Sequence, residues 1–88
     1  MKIGIVSGTV VCTRKVKEIE GFKLLIVEYL NLEGRKEGGF TVAVDVVDAG
    51  VGDKVIVVSG SSARQTSFTK NKPVDAVIVG IVDNIYLE

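Results

Sequence analysis

Three segments of this chain are apolar at successive positions: Leu24-Leu25-Ile26-Val27, Val55-Ile56-Val57-Val58 and Ala76-Val77-Ile78-Val79. A strand with one wet face alternates apolar and polar residues, because neighbouring side chains point to opposite sides. Unbroken runs therefore require burial on both faces. Val (17) and Ile (8) far outnumber Leu (5) and Ala (4), and such stiff, β-branched side chains favour strands over helices. With 88 residues the chain is read as one small domain spanning 1–88, too short for a large core of its own. In a small closed barrel only the inner face is covered by the barrel itself. A short helical turn can cover only part of the outer face of these runs, and neighbouring subunits are expected to cover the rest.

Residues Lys2–Thr13 read as a first strand, with Gly4 and Gly8 as bend points. Arg14–Gly21 is charged surface, Phe22–Leu30 a second strand, and Asn31–Gly39, with Gly34, Gly38 and Gly39, a flexible loop. Phe40–Val47, Lys54–Ser59 and Ala76–Val82 complete five strands, with a tight turn at Ala49–Asp53. The fourth strand stops at Ser59-Gly60, where Ser62 and Gln65 have the spacing of a capping box at the start of a short helical turn carrying Arg64. Thr69–Pro73 reads as a polar loop, and Ile85-Tyr86-Leu87 as an apolar tail able to add to a neighbouring sheet edge.

Several functions are disfavoured by what the chain contains. Eleven basic and eleven acidic residues cancel, whereas a phosphate backbone calls for a basic excess. The five aromatics, Phe22, Tyr29, Phe40, Phe68 and Tyr86, are scattered and form no stacking platform for bases. An OB-fold nucleic-acid binder is therefore the weaker alternative. There is no His, so the usual base near neutral pH and the commonest metal ligand are missing. Cys12 has no base to activate it and reads as a structural thiol. The five Asp residues sit mostly at strand ends and turns, where they bond local backbone. Ser59-Gly60-Ser61-Ser62 has no Walker-type ending. No catalytic, cofactor-binding or metal-binding residue is assigned. The apolar runs are far shorter than the ~20 residues of a membrane span, and the start is broken by Gly and Ser, so a cytoplasmic protein is expected.

Read in order, the chain carries Ile3-Gly4, Gly8-Thr9-Val10, Thr13-Arg14-Lys15, Gly21-Phe22-Lys23-Leu24-Leu25-Ile26-Val27, Val42-Ala43-Val44-Asp45, Ala49-Gly50-Val51-Gly52-Asp53, Gly60-Ser61-Ser62-Ala63-Arg64-Gln65-Thr66 and Gly80-Ile81-Val82-Asp83. Each block alone is unspecific. The ordered set resembles the EutN/CcmL family of pentameric vertex proteins from bacterial microcompartment shells. That resemblance implies an all-β, five-stranded OB-like barrel with one short helix, assembled as a homopentamer. It implies a structural role capping fivefold vertices, beside hexameric and trimeric shell proteins, with no enzymatic activity, cofactor, nucleic acid or membrane. It further implies that Gly60, Ser61, Ser62, Ala63, Arg64 and Gln65 lie at the subunit interface or the central opening. Asp48 departs from the family pattern, where Gly is common. The resemblance does not distinguish carboxysomes from ethanolamine, propanediol or glycyl-radical compartments.

Overall fold

A computed structural model describes residues 1–88. Five strands, β1 (Lys2–Val10), β2 (Lys23–Leu30), β3 (Lys36–Asp45), β4 (Lys54–Ser59) and β5 (Ala76–Ile81), close into a barrel in the order β1-β2-β3-β5-β4. The pairings are antiparallel except for one. β3 meets β5 in parallel, over only Val44↔Val77 and Asp45↔Ile78. This is an OB-like arrangement, as expected.

The inner core consists of Val6, Leu25, Val27, Ala43, Val55, Val57, Ala76 and Ile78, closed at one end by Ala49. At Gly4 the first two strands approach so closely that a Cβ would lie 2.3 Å from Val27 Cγ1. Close packing, rather than bending, is what requires glycine there. Gly8 instead follows a bulge that shifts the β1–β2 register between Val6 and Gly8.

Outside the barrel lies a second apolar cluster: Val44, Val58, Ala63, Val74 and Val77, with Ile19, Phe22, Leu24, Val46 and Val79 packed around it. The unbroken runs are thus explained partly within the subunit. Val58 and Val77 face outward yet are buried, because residues 60–74 and the Lys17–Phe22 segment lie over them. The helical turn supplies part of this cover through Ala63, as expected, and Val74, Ile19 and Phe22 add to it.

Local boundaries also differ. β1 stops at Val10 because Val10 already pairs with Leu24, and β2 begins just beyond, at Lys23. Val11 is left exposed. The Asn31–Gly39 loop shrinks to a five-residue turn, and β3 begins at Lys36. Asn31 closes that turn: its Oδ1 accepts the Glu33 and Arg35 amides, each at 3.0 Å. The helical turn is a 3-10 turn, Gly60–Arg64, and a second one spans Lys17–Ile19. The capping box does not form. The turn starts earlier, with Ser59 at its N-cap and no side-chain cap, while Gln65 sits at its C-cap, donating its backbone N–H to the Ser62 carbonyl.

Candidate assembly surface

Gly60 to Gln65 divide into one anchor and five exposed positions. Gly60 takes φ +64°, a left-handed conformation that glycine adopts without strain, and its N–H donates to the Asp75 carbonyl at 2.8 Å. Ala63 is fully buried and pins the turn to the second cluster. Gly60, Ser61, Ser62, Arg64 and Gln65 are exposed. Arg64 makes one long bond, Nη1 to the Val74 carbonyl at 3.4 Å, so its guanidinium retains most of its donors. Together with Gln65, Lys70 and Asn71 it lines a wholly polar depression.

What holds this segment in place was missed in the sequence. Thr69 belongs to a stretch that reads as polar loop, yet it is fully buried. Its Oγ1 donates to the Ala63 carbonyl at 2.6 Å, and the Thr66 hydroxyl lies 2.6 Å from Thr69 Oγ1. The Thr66 hydroxyl also accepts the Thr69 amide at 3.1 Å. A Thr three residues before another Thr is the one local sign of such a pair.

Two ionic clusters are accounted for by the fold. The Asp45 side chain is almost fully buried and accepts the Val47 and Ala49 amides, at 3.1 and 2.8 Å. Lys23, half exposed, pairs with Asp45 at 3.1 Å and with Asp48 at 3.3 Å, and donates to the Ala49 carbonyl. Its bond to Asp45 holds the Lys23 amine above its ordinary pKa against partial desolvation, with Asp48 adding to the effect. Asp48 itself adopts φ +60°, a left-handed conformation that Asp tolerates better than most residues with a side chain. On the outer wall Glu28 bonds Lys36 at 2.8 Å and the Ser7 hydroxyl. Those two partners, Lys36 first, hold its carboxyl below the usual range. No three His, Cys, Asp or Glu side chains converge as a metal would require. Cys12 is a half-buried free thiol.

The remaining surface is apolar and partly unpaired. β3 pairs with β2 along its length but with β5 only at Val44 and Asp45. From Lys36 to Val42 its other edge has no backbone partner, and every residue but Thr41 is exposed, with Phe40 66% and Val42 41% accessible. At the opposite corner β1 pairs with β4 as far as Ile5 and Val6 exchanges bonds with Gly52 and Asp53, which leaves Ser7–Val10 without a backbone partner on that side. Beyond β5, Val82 still donates to the Lys54 carbonyl at 2.8 Å, after which Asp83–Glu88 continues exposed, with Tyr86 84% and Leu87 68% accessible. Single exposed apolar residues are ordinary, but an uncovered edge beside apolar side chains marks an association surface.

Comparison with known proteins gives this surface a context. The family model described as ethanolamine utilisation protein EutN/carboxysome matches residues 1–83. The bacterial microcompartment shell vertex protein EutN of Salmonella typhimurium is 42% identical over 85 residues, covering 97% of this chain and 86% of that protein. The solved structure of Gloeobacter violaceus CcmL superposes with a TM-score of 0.95 at 38% identity, covering 100% of this chain and 91% of that one. The GrpN pentameric microcompartment shell protein from Rhodospirillum rubrum superposes with a TM-score of 0.92 at 44% identity, covering both chains completely. A closed five-stranded barrel, matched in sequence and shape along essentially its whole length, places this chain in the EutN/CcmL family.

Proposed function

We propose that this chain forms a homopentamer that caps the fivefold vertices of a bacterial microcompartment shell. The observation that carries the reading is full-length similarity to a pentameric shell protein, at 44% identity and complete coverage of both chains. The physical requirement is geometric. Flat hexagonal sheet has no intrinsic corner, and a closed polyhedron built from it needs pentagons. A five-membered ring is a heterologous assembly in which each subunit presents two different faces to its neighbours. Unpaired strand edges at two opposite corners of the barrel suit that arrangement.

In this reading residues 1–88 act as one vertex domain in the cytoplasm, and the ring meets hexameric and trimeric shell proteins around its rim. Gly60 to Gln65 lie at the subunit interface or around the central opening, with Arg64 free to bond a neighbour. The role needs no catalysis. Zero net charge and scattered aromatics give the nucleic-acid alternative no support. Co-expressing cognate hexamers with and without this chain, then imaging the products, tests the reading. Closed shells are expected only when the chain is present, and sheets or tubes without it. Equally closed shells in both cases, with no second vertex protein present, would falsify it.

A further inference from the structure

We infer that the segment after β5, Asp83–Glu88, docks as an added strand on the free edge of β3 (Lys36–Val42) in an adjacent copy of this chain. The inference rests on the ring assembly proposed above and names the contact that joins its subunits. The first observation is the edge itself. Along Lys36–Val42 neither a backbone nor a side-chain bond reaches the strand from the side opposite β2. Exposed edges of this kind are templates for another extended segment, with main-chain bonds supplying affinity and alternate side chains specificity.

The second observation is the segment. Asp83–Glu88 leaves the barrel immediately after the Val82 bond to Lys54, forms no hydrogen bond within the chain, and carries Ile85, Tyr86 and Leu87 exposed. Extended, six residues reach about 20 Å, comparable to the seven-residue edge. Alternation would set Ile85 and Leu87 on one face and Tyr86 on the other. Phe40 and Val42 likewise share a face of β3, and Gly38, with open space where a Cβ would stand, leaves room beside it.

The third observation decides whose edge is used. β3 and β5 are parallel, in register at Val44↔Val77 and Asp45↔Ile78. Residues after Ile81 therefore run beyond the end of β3, whereas the free edge lies in the other direction, before Val44. The segment is carried away from its own subunit's edge. A second copy supplies the partner, and because donor and acceptor surfaces differ, the contact repeats head to tail around a ring.

Native mass spectrometry over a dilution series, with amide exchange on the same samples, tests this. A chain stopped after Asp83 is expected to dissociate at a concentration at least tenfold higher than the full chain. Its amides at residues 36–42 should exchange at least tenfold faster, while those of β4 are unchanged. In a Cys12→Ser background, Ile85→Cys paired with Phe40→Cys or Val42→Cys should give intermolecular disulfides on mild oxidation, and Ile85→Cys with Val11→Cys should not. An intact ring that is indifferent to the truncation, with neither cysteine pair cross-linking, overturns the docking and leaves the ring standing. Protected edge amides in that truncated ring would assign the edge to another element of the neighbour, such as the end of β1, and overturn it equally. A full-length chain that is monomeric at micromolar concentration overturns the ring and the docking together.

Discussion

The outer wall of the barrel is finished in one place and unfinished in another. Around Val58 and Val77 the chain folds back on itself, and the second cluster buries side chains that point away from the barrel interior. Around Phe40 and Val42, on the same outer surface, no connecting segment closes the wall and both side chains stay exposed. The same residue type is thus structural in one setting and associative in the other. What separates them is whether a connecting segment crosses that stretch of wall. The β4–β5 connection is long enough to lie over it, and the five-residue turn between β2 and β3 is not.

The sharpest way to break this comparison is a matched pair of truncations. Val77→Ala is expected to destabilise the subunit by about 2–3 kcal/mol in urea denaturation, combining lost methyl burial with a cavity the packed cluster cannot close. Val42→Ala should cost under ~0.5 kcal/mol in the same measurement, because Val42 is already partly in water. Equal costs at the two sites would mean that the outer wall is uniform.

A smaller effect is expected at Arg64. Its side chain is held by a single long intrachain bond, so Arg64→Ala should leave the subunit's melting temperature nearly unchanged while weakening the ring about tenfold, or ~1.4 kcal/mol, on dilution. Arg35→Ala, in an exposed turn, should do neither. Dissociation of both variants at the same dilution would place Arg64 outside the interface.

The smallest effect concerns pH on the unfinished side. Glu28, bonded to Lys36 and Ser7, has a folded pKa below its ordinary value of 4.5. Its contribution is therefore complete above about pH 4.5 and is lost as pH falls through the depressed folded value. Acid titration of stability in Glu28→Gln should show a shallower fall over that range than the parent. An identical slope would mean that the pairing seen on this wall has no energetic consequence.

Much of the architecture was legible because it follows from repeated local signals. The unbroken apolar runs located β2, β4 and β5, the β-branched stretches between turn signals located β1 and β3, and Lys54–Ser59 has the same bounds in the sequence reading and in the structure. The errors fall where a single side chain overrides composition. Gly34, Gly38 and Gly39 read as loop, yet Asn31 tightens the turn and lets β3 begin at Lys36. Ser62 and Gln65 have the spacing of a cap, but Ser59 and Gly60 begin the turn first. Thr69 is polar by type and buried by position, because its hydroxyl finds the Ala63 carbonyl. The tail's missing partner within its own subunit depends on the β3–β5 register, which no linear pattern encodes.

That register has a kinetic side as well. β1, β2 and β3 form a meander of successive neighbours, so their pairings close short loops. The seam at Val44↔Val77 and Asp45↔Ile78 joins residues 33 positions apart through only two pairs, in the one parallel ladder of the molecule. Loop-closure entropy is spent there for the least immediate return. Closing the seam is accordingly expected to come late in folding, once the inner core and the second cluster can meet across it. Until it closes, β3 has an unpaired edge along its whole length. A nascent subunit is most exposed to mispairing with its own kind in that interval, before the ring can use what remains of the edge.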